Sequence, residues 1–297
     1  MAGVVAPASN STNTTRSMKQ MLAKIGQIKA NIDISGTSTA RSASLLCELL
    51  ETQLLQKSTY QDPRSLTPSR SKIFSQYGQD GMIAEIFRRI GEGERRFVEI
   101  GTAPSENNTN LLLLKGWSGL WVDAGLDPDE NLPVSVQSLL KQNRLKVCRE
   151  FVNRDNCRSL LEVRGFAEKL DLLSIDIDYN THHVFKALLP LKPRVFSVEY
   201  NGMLPPDLDW AAPYDASAVW DGTTHFGATL GTISQMAEEG GYSLVGCELS
   251  GTDAFFVRHD LLQEHFLRPG DCMFHWEPLR MHLGQMQRHR AALPLAA

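Results

Sequence analysis

The chain has 297 residues, 42% of them hydrophobic and 22% charged, which is ordinary globular material able to bury one sizeable core with an appendage. A formal net charge of −4 and the lack of a long Lys/Arg stripe exclude nucleic acid as an electrostatic partner. The apolar runs are too short to span a bilayer.

Residues 1–15 are small and polar and are expected to be disordered. Met18, Met21, Leu22, Ile25 and Ile28 then recur at helical spacing, and after a polar break from Ser35 to Thr39 a second helix carries Leu45, Leu46, Leu49, Leu50, Leu54 and Leu55. These two helices, over 16–60, are expected to pack on the main domain, to close over its pocket as a lid, or to join two copies in a homodimer. Pro63 and Pro68 mark 61–74 as a linker. The five cysteines, Cys47, Cys148, Cys157, Cys247 and Cys272, are scattered without a CxxC pair. They read as reduced thiols, and with no apolar leader stretch at the start the protein is expected in the cytoplasm.

A helix is predicted from Ser75, with Met82, Ile83, Ile86, Phe87 and Ile90 on one face. Phe97, Val98 and Ile100 form a strand closing on Glu99-Ile100-Gly101, followed by a polar loop, a helix over Leu111 to Leu114, and a second strand from Leu120 to Val122 ending at Asp123. Strand, loop, helix, strand and terminal acid make half of a βαβ nucleotide-binding unit. The alternation continues through a helix around Val136 and Leu139, a strand from Leu145 to Val152, a helix from Ser159 to Lys169, a strand from Leu172 to Ile177, a helix from His182 to Leu189 and a strand from Val195 to Val198. A loop from Gly202 to Asp221 leads to a helix from Phe226 to Glu239, and Tyr242 to Cys247 and Ala254 to Val257 read as a closing antiparallel pair. The fold class is therefore α/β, a mostly parallel sheet covered on both faces, with a helical, peripheral tail over 262–297.

Several segments carry a family resemblance: Ser75-Gln76-Tyr77-Gly78-Gln79-Asp80, the E-x-G loop at 99–101, Asn108-Thr109, Gly116-Trp117-Ser118-Gly119, Asp123, and Trp220-Asp221-Gly222 with Phe226-Gly227-Ala228. Over 75–261 the chain resembles the FkbM-like branch of class I S-adenosylmethionine (SAM)-dependent methyltransferases. The resemblance implies a Rossmann-like, seven-stranded sheet with a terminal antiparallel hairpin, SAM as cosubstrate, and in-line methyl transfer to a hydroxyl or amine of a small molecule or glycan, as in natural-product biosynthesis. Two departures stand out. Thr102-Ala103-Pro104-Ser105-Glu106 occupies the loop where such enzymes tend to carry further glycines. In a segment similar to D-I-D-G-N-D, Tyr179 stands for the glycine and Thr181 for the last acid.

Ligands of open α/β sheets bind beyond the carboxyl ends of the strands, at the switch in strand order. The expected cofactor set is accordingly Glu99, Gly101, Thr102, Asn110, Asp123, Asn153, Asp155 and Asp176. Gly101 admits close backbone approach, and Asp123 suits the ribose diol. Glu99 is alternatively a structural acid capping loop amides. Asp155 or Asn156 is placed to meet the adenine amino group or to cap a helix. The expected catalytic set is Asp176, Asp178, Tyr179, His182, Glu199 and Asn201. Asp176 and Asp178 lie two apart on a strand, so they share a face, and Glu199 and Asn201 repeat that spacing on the next strand. Together they are expected either to hold magnesium or manganese, with Asp176, Asp178 and Glu199 as ligands, or to grip the methionine part of SAM. Tyr179 offers cation–π contact to a sulfonium. His182 or His183 is a general-base candidate or simply a polar helix start. His225 and Tyr214 are candidate acceptor contacts, and Trp210 and Trp220 bracket the loop that would cover the pocket, with the core as their default place.

Two rival functions fit the same residues. One keeps SAM but lets its own amine attack the γ-carbon, releasing methylthioadenosine and azetidine-2-carboxylate, as in azetidine-forming SAM cyclases that are themselves similar to this methyltransferase class. The other is a non-catalytic protein that assembles through its N-terminal helices.

Overall fold

The computed structural model describes residue 39 and residues 42–104, 106–126, 132 and 134–284. The disorder expected at 1–15, the first N-terminal helix and the end of the tail lie outside these residues.

Each strand alternates its apolar side chains between two faces. In β1 (Arg96–Ile100), Phe97 faces one core cluster while Val98 and Ile100 face the other, and all three are fully buried. In β2 (Ser118–Asp123), Trp121 joins Phe97, and Leu120 and Val122 join Val98. With both faces covered, the strands read as continuous apolar runs rather than alternating ones. The remaining strands are β3 (Leu145–Arg149), β4 (Leu172–Ile175), β5 (Val195–Glu199), β6 (Tyr242–Cys247) and β7 (Asp253–Arg258). They form one seven-stranded sheet in the order β3-β2-β1-β4-β5-β7-β6. The first five are parallel to one another, and β7 runs antiparallel to both β5 and β6. This is the mostly parallel sheet with a closing antiparallel pair that the alternation predicts, in the seven-stranded, Rossmann-like form that the family resemblance implies.

Helix α1 covers 42–54. Helices α2 (Gln79–Ile90), α3 (Asn110–Leu114) and α4 (Val134–Lys141) cover the Phe97 face, and α5 (Cys157–Val163), α6 (Thr181–Leu188) and α7 (Leu230–Glu239) cover the Val98 face. The chain order reverses between β1 and β4, so the switch point lies where Gly101 and Asp176 leave the sheet side by side. There the Asp176 amide donates to the Ile100 carbonyl at 2.9 Å and the Gly101 amide to the Val122 carbonyl at 2.9 Å.

Several boundaries differ from the predicted ones for local reasons. Helix α2 starts at Gln79 rather than Ser75, because Asp80 Oδ2 gathers the amides of Ile73, Phe74 and Ser75 at 2.7–2.9 Å into a loop. Gln79 Nε2 donates to Asp253 at 2.6 Å, so the polar residues around α2 tie it to β7. Strand β4 stops at Ile175, two residues early, since the Ile177 amide turns to Thr181 Oγ1 and Asp178 takes a left-handed φ of 57°. Helix α5 ends at Val163, just before Gly165 at φ 78°.

Segment 61–74 is packed rather than free-running: Leu66 and Phe74 are buried in the α2 cluster. Leu50, Leu54 and Leu55 rest on Tyr77, Leu249 and Leu283, while Leu45, Leu46 and Leu49 stay exposed. The described tail is mostly irregular. It holds a four-residue helix α8 (Cys272–His275), and backbone bonds from Gly270 to Leu244 and from Leu279 to Gly202 draw it onto the sheet end. All five cysteines are free. Among the described residues no helix is long and apolar enough to cross a membrane.

Candidate functional site

At the switch point the backbone itself makes room. Gly101 has φ 81°, and a Cβ there would overlap the Asp176 carbonyl oxygen, so only glycine lets the β1 and β4 loops part this closely. The opening between them is a cleft of about 380 Å³. Gly101, Asp123, Phe151, Val152, Asp176 and Asp178 line it from below, and Ala218, Val219 and Trp220 from above. A second cleft of about 450 Å³ opens on the β5 side. Its walls include Tyr77, Met203, Phe226, Leu279 and Met281, and it shares Asp176, Asp178 and Trp220 with the first.

Asp176, Asp178 and Glu199 meet where the two clefts join. One oxygen from each lies within 4.8 Å of the other two. They converge although Asp178 is off the strand: the left-handed turn, not the two-residue strand period, aims its carboxylate. Burial, and then the charges of Asp253 and Asp178, push Asp176 up to about 7. Burial and the neighbouring Asp176 push Glu199 well above the usual carboxylate range, and burial raises Asp178 as well. Asp176 and Glu199 thus resist being ionised together. Among the described residues no Lys, Arg or His lines either cleft. Three hard oxygen donors brought this close suit a divalent cation by donor chemistry.

Asn201 does not join them. Its Nδ2 donates to the carbonyls of Thr224 and Phe226, both at 2.9 Å, and its Oδ1 accepts from the Met203 amide at 3.2 Å. His182 is likewise withdrawn: it is fully buried, its Nε2 meets the Ala212 carbonyl at 3.0 Å, and burial lowers it to about 4. His183 reaches the same carbonyl at 3.0 Å. Tyr179 lines neither cleft, and its carbonyl accepts from the Gly227 amide. Asp155 is exposed and accepts from Tyr214 at 2.6 Å, while Arg154 stacks on the Tyr214 ring at 3.7 Å. These residues have a common task. They hold the segment 212–227, a strap that passes over both clefts and carries Trp220.

Of the expected cofactor set, Gly101, Asp123 and Asp176 reach the first cleft. Asp123 is oriented by the amides of Gly125 at 2.6 Å and Thr102 at 3.3 Å. Glu99 is a structural acid: it is 3% exposed, and its oxygens accept from the Asn108 amide at 2.7 Å and from Thr109 Oγ1 at 2.5 Å. Thr102 contributes through its amide rather than its side chain. Asn110 is buried at the start of α3, where its amide bonds Asn107 Oδ1. Asn153 Oδ1 caps the turn into α5 by accepting from the Asp155 and Asn156 amides.

The residues that sequence reading passed over are mostly apolar. Phe151 and Val152 lie two and three residues past the end of β3, and they read as the strand's own continuation. Leu279 and Met281 sit in the tail, and Trp220, expected in the core, is 42% exposed between the clefts. The W-D-G segment was the available signal for Trp220. The tail residues had none.

No protein-family model matches the chain, and no curated protein matches it. Among solved structures it is similar to an O-methyltransferase family protein from Burkholderia thailandensis, with 9% identity, 73% of this chain and 71% of that chain covered, and a TM-score of 0.34. A likeness that distant adds nothing to the strand order, which identifies the fold by itself.

Proposed function

We propose that the protein transfers a methyl group from SAM to a hydroxyl or amine of a small molecule. The observation that carries this reading is the meeting of two clefts at one carboxylate cluster on the switch point of the sheet. In the first cleft, Phe151 and Val152 flank a purine and Asp123 faces a ribose diol. In the second, the apolar walls seat an acceptor whose nucleophilic atom points toward Asp176 and Glu199. The acceptor's lone pair displaces the sulfur in line, the C–S electron pair returns to sulfur, and S-adenosylhomocysteine forms. Positioning supplies most of the rate. The proton released by the acceptor passes to a carboxylate poised near neutral pH, which suits a general base. If the acceptor is a hydroxyl, a magnesium or manganese ion held by Asp176, Asp178 and Glu199 would polarise its oxygen.

The second cleft favours this reading over intramolecular cyclisation, which needs no room for another molecule. A non-catalytic scaffold gives no reason to keep three acids crowded together at a stability cost. Mass spectrometry of the protein incubated with SAM alone, then with a panel of amines and alcohols, tests all of this. S-adenosylhomocysteine forming only with an acceptor is the expected result. Methylthioadenosine from SAM alone would replace it with the cyclase, and no turnover together with no SAM binding would remove both.

A further inference from the structure

Asn180 combines properties that point to a ligand. It is 2% exposed, it lines the first cleft, and its Oδ1 has no hydrogen-bond partner in the protein. The amide cannot be turned the other way. Nδ2 lies 2.8 Å from the Asp215 carbonyl oxygen, and only a donor can face that atom. Oδ1 is therefore an unpaired acceptor, itself buried, in a place where an unmade bond is costly. It calls for an N–H or O–H brought in from outside.

The surroundings narrow the choice. Asp176 and Asp178 line the same cleft beside Asn180, which follows β4, and among the described residues no cationic side chain does. An anionic or phosphate-bearing group is repelled there, and a cationic donor is favoured. The part of the cleft made by β2 and the turn after β3 offers Asp123, Phe151 and Val152, which suit a nucleoside. The donor at Asn180 then belongs to whatever the nucleoside carries beyond its sugar.

We infer that Asn180 Oδ1 accepts a hydrogen bond from the α-ammonium of a nucleoside-linked amino acid, an inference that rests on the SAM reading above. Through Nδ2 the same side chain holds Asp215, a few residues before the Ala218-Val219-Trp220 wall. Asn180 thus reads the amino-acid end of the cosubstrate and positions the wall common to both clefts.

The test is calorimetric binding of S-adenosylhomocysteine and of methylthioadenosine, which lacks the amino-acid portion, to wild type, Asn180→Ala and Asn180→Asp. In wild type, S-adenosylhomocysteine binds more tightly. Asn180→Ala is expected to weaken it by about tenfold or more beyond any loss in methylthioadenosine affinity, because losing the Asp215 tie acts on both ligands alike. Retained methylthioadenosine binding also reports that the cleft has folded. Asn180→Asp keeps an accepting oxygen but gives up the Nδ2 donor to Asp215. Any fall in overall affinity is then shared by both ligands, while the preference for S-adenosylhomocysteine must survive; its loss would overturn the inference if the alanine variant does not fold. Equal weakening of both ligands, or no change in either, would overturn the inference and leave SAM binding intact. Failure of wild type to bind either ligand would instead sink the SAM reading itself.

Discussion

Glu99 and Asp123 end neighbouring strands, yet they do different work. Asp123 is half-exposed with amides on one side and the cleft on the other, so Asp123→Ala removes the diol contact and leaves the Thr102 and Gly125 amides without their acceptor. A drop of about tenfold or more in S-adenosylhomocysteine affinity is expected by calorimetry, and unchanged affinity would place the sugar elsewhere. Glu99 does not line the cleft. Its carboxyl holds the Asn108 amide and the Thr109 hydroxyl, and that hydroxyl in turn accepts from Trp121 Nε1 at 2.8 Å. Burial pushes Glu99 up to about 8 from an ordinary value of 4.5. The native state therefore keeps a proton that the unfolded chain releases. Its contribution to stability is full below about 4.5 and is lost as pH rises through about 8. Glu99→Gln keeps an acceptor for Asn108 and has no proton to lose. Scanning calorimetry between pH 5 and 8 should show a shallower fall in Tm for this variant than for wild type; an equal slope would mean that the Glu99 proton plays no part.

At the scale of elements, the N-terminal helix is fastened by charge as well as by leucines. Arg70 reaches Glu51 on α1 at 2.6 Å and Glu248 after β6 at 2.8 Å, and the Glu248 side chain is fully buried. Removing one partner of such a pair leaves a buried charge uncompensated, which costs about 3–5 kcal/mol. Arg70→Ala should therefore lower urea-unfolding stability by that order, with proteolysis cutting first within 42–60 as α1 loses its tie; a loss under about 1 kcal/mol would show that the leucines suffice. The sheet was legible in the sequence because buried parallel strands are continuous apolar runs. Strand ends alone, however, do not say which polar group faces a ligand. Asn201, His182, Tyr179 and Asp155 stand at the right ends of the right strands and are engaged by the 212–227 strap instead. That segment has no periodicity to predict its path, so the groups holding it looked unoccupied. The convergence of Asp176, Asp178 and Glu199 was foreseen, but on a strand geometry that the left-handed Asp178 does not have.

Over the whole molecule, charge is distributed toward one end of the sheet. Glu99, Asp123, Asp176 and Glu199 come from the carboxyl ends of four parallel strands or the residue just after, and Asp253 opens the antiparallel β7 at the same edge. Burial raises Glu99, Asp176, Asp178, Glu199 and Asp253 together, with neighbouring acids adding to the rise for most of them. Protons held by these groups when folded are released on unfolding, so stability should fall as pH rises from about 5 toward 8. A cation bound in the clefts reverses part of that fall, because it binds the deprotonated acids and so binds more tightly at higher pH. The rise in Tm on adding saturating SAM, whose sulfonium and ammonium are both cationic, should therefore be larger at pH 8 than at pH 5.5. S-adenosylhomocysteine, which lacks the sulfonium charge, should show a smaller difference between the two pH values. If both ligands raise Tm equally at both, the acid edge does not read ligand charge, and the clefts recognise their ligands by shape and hydrogen bonds alone.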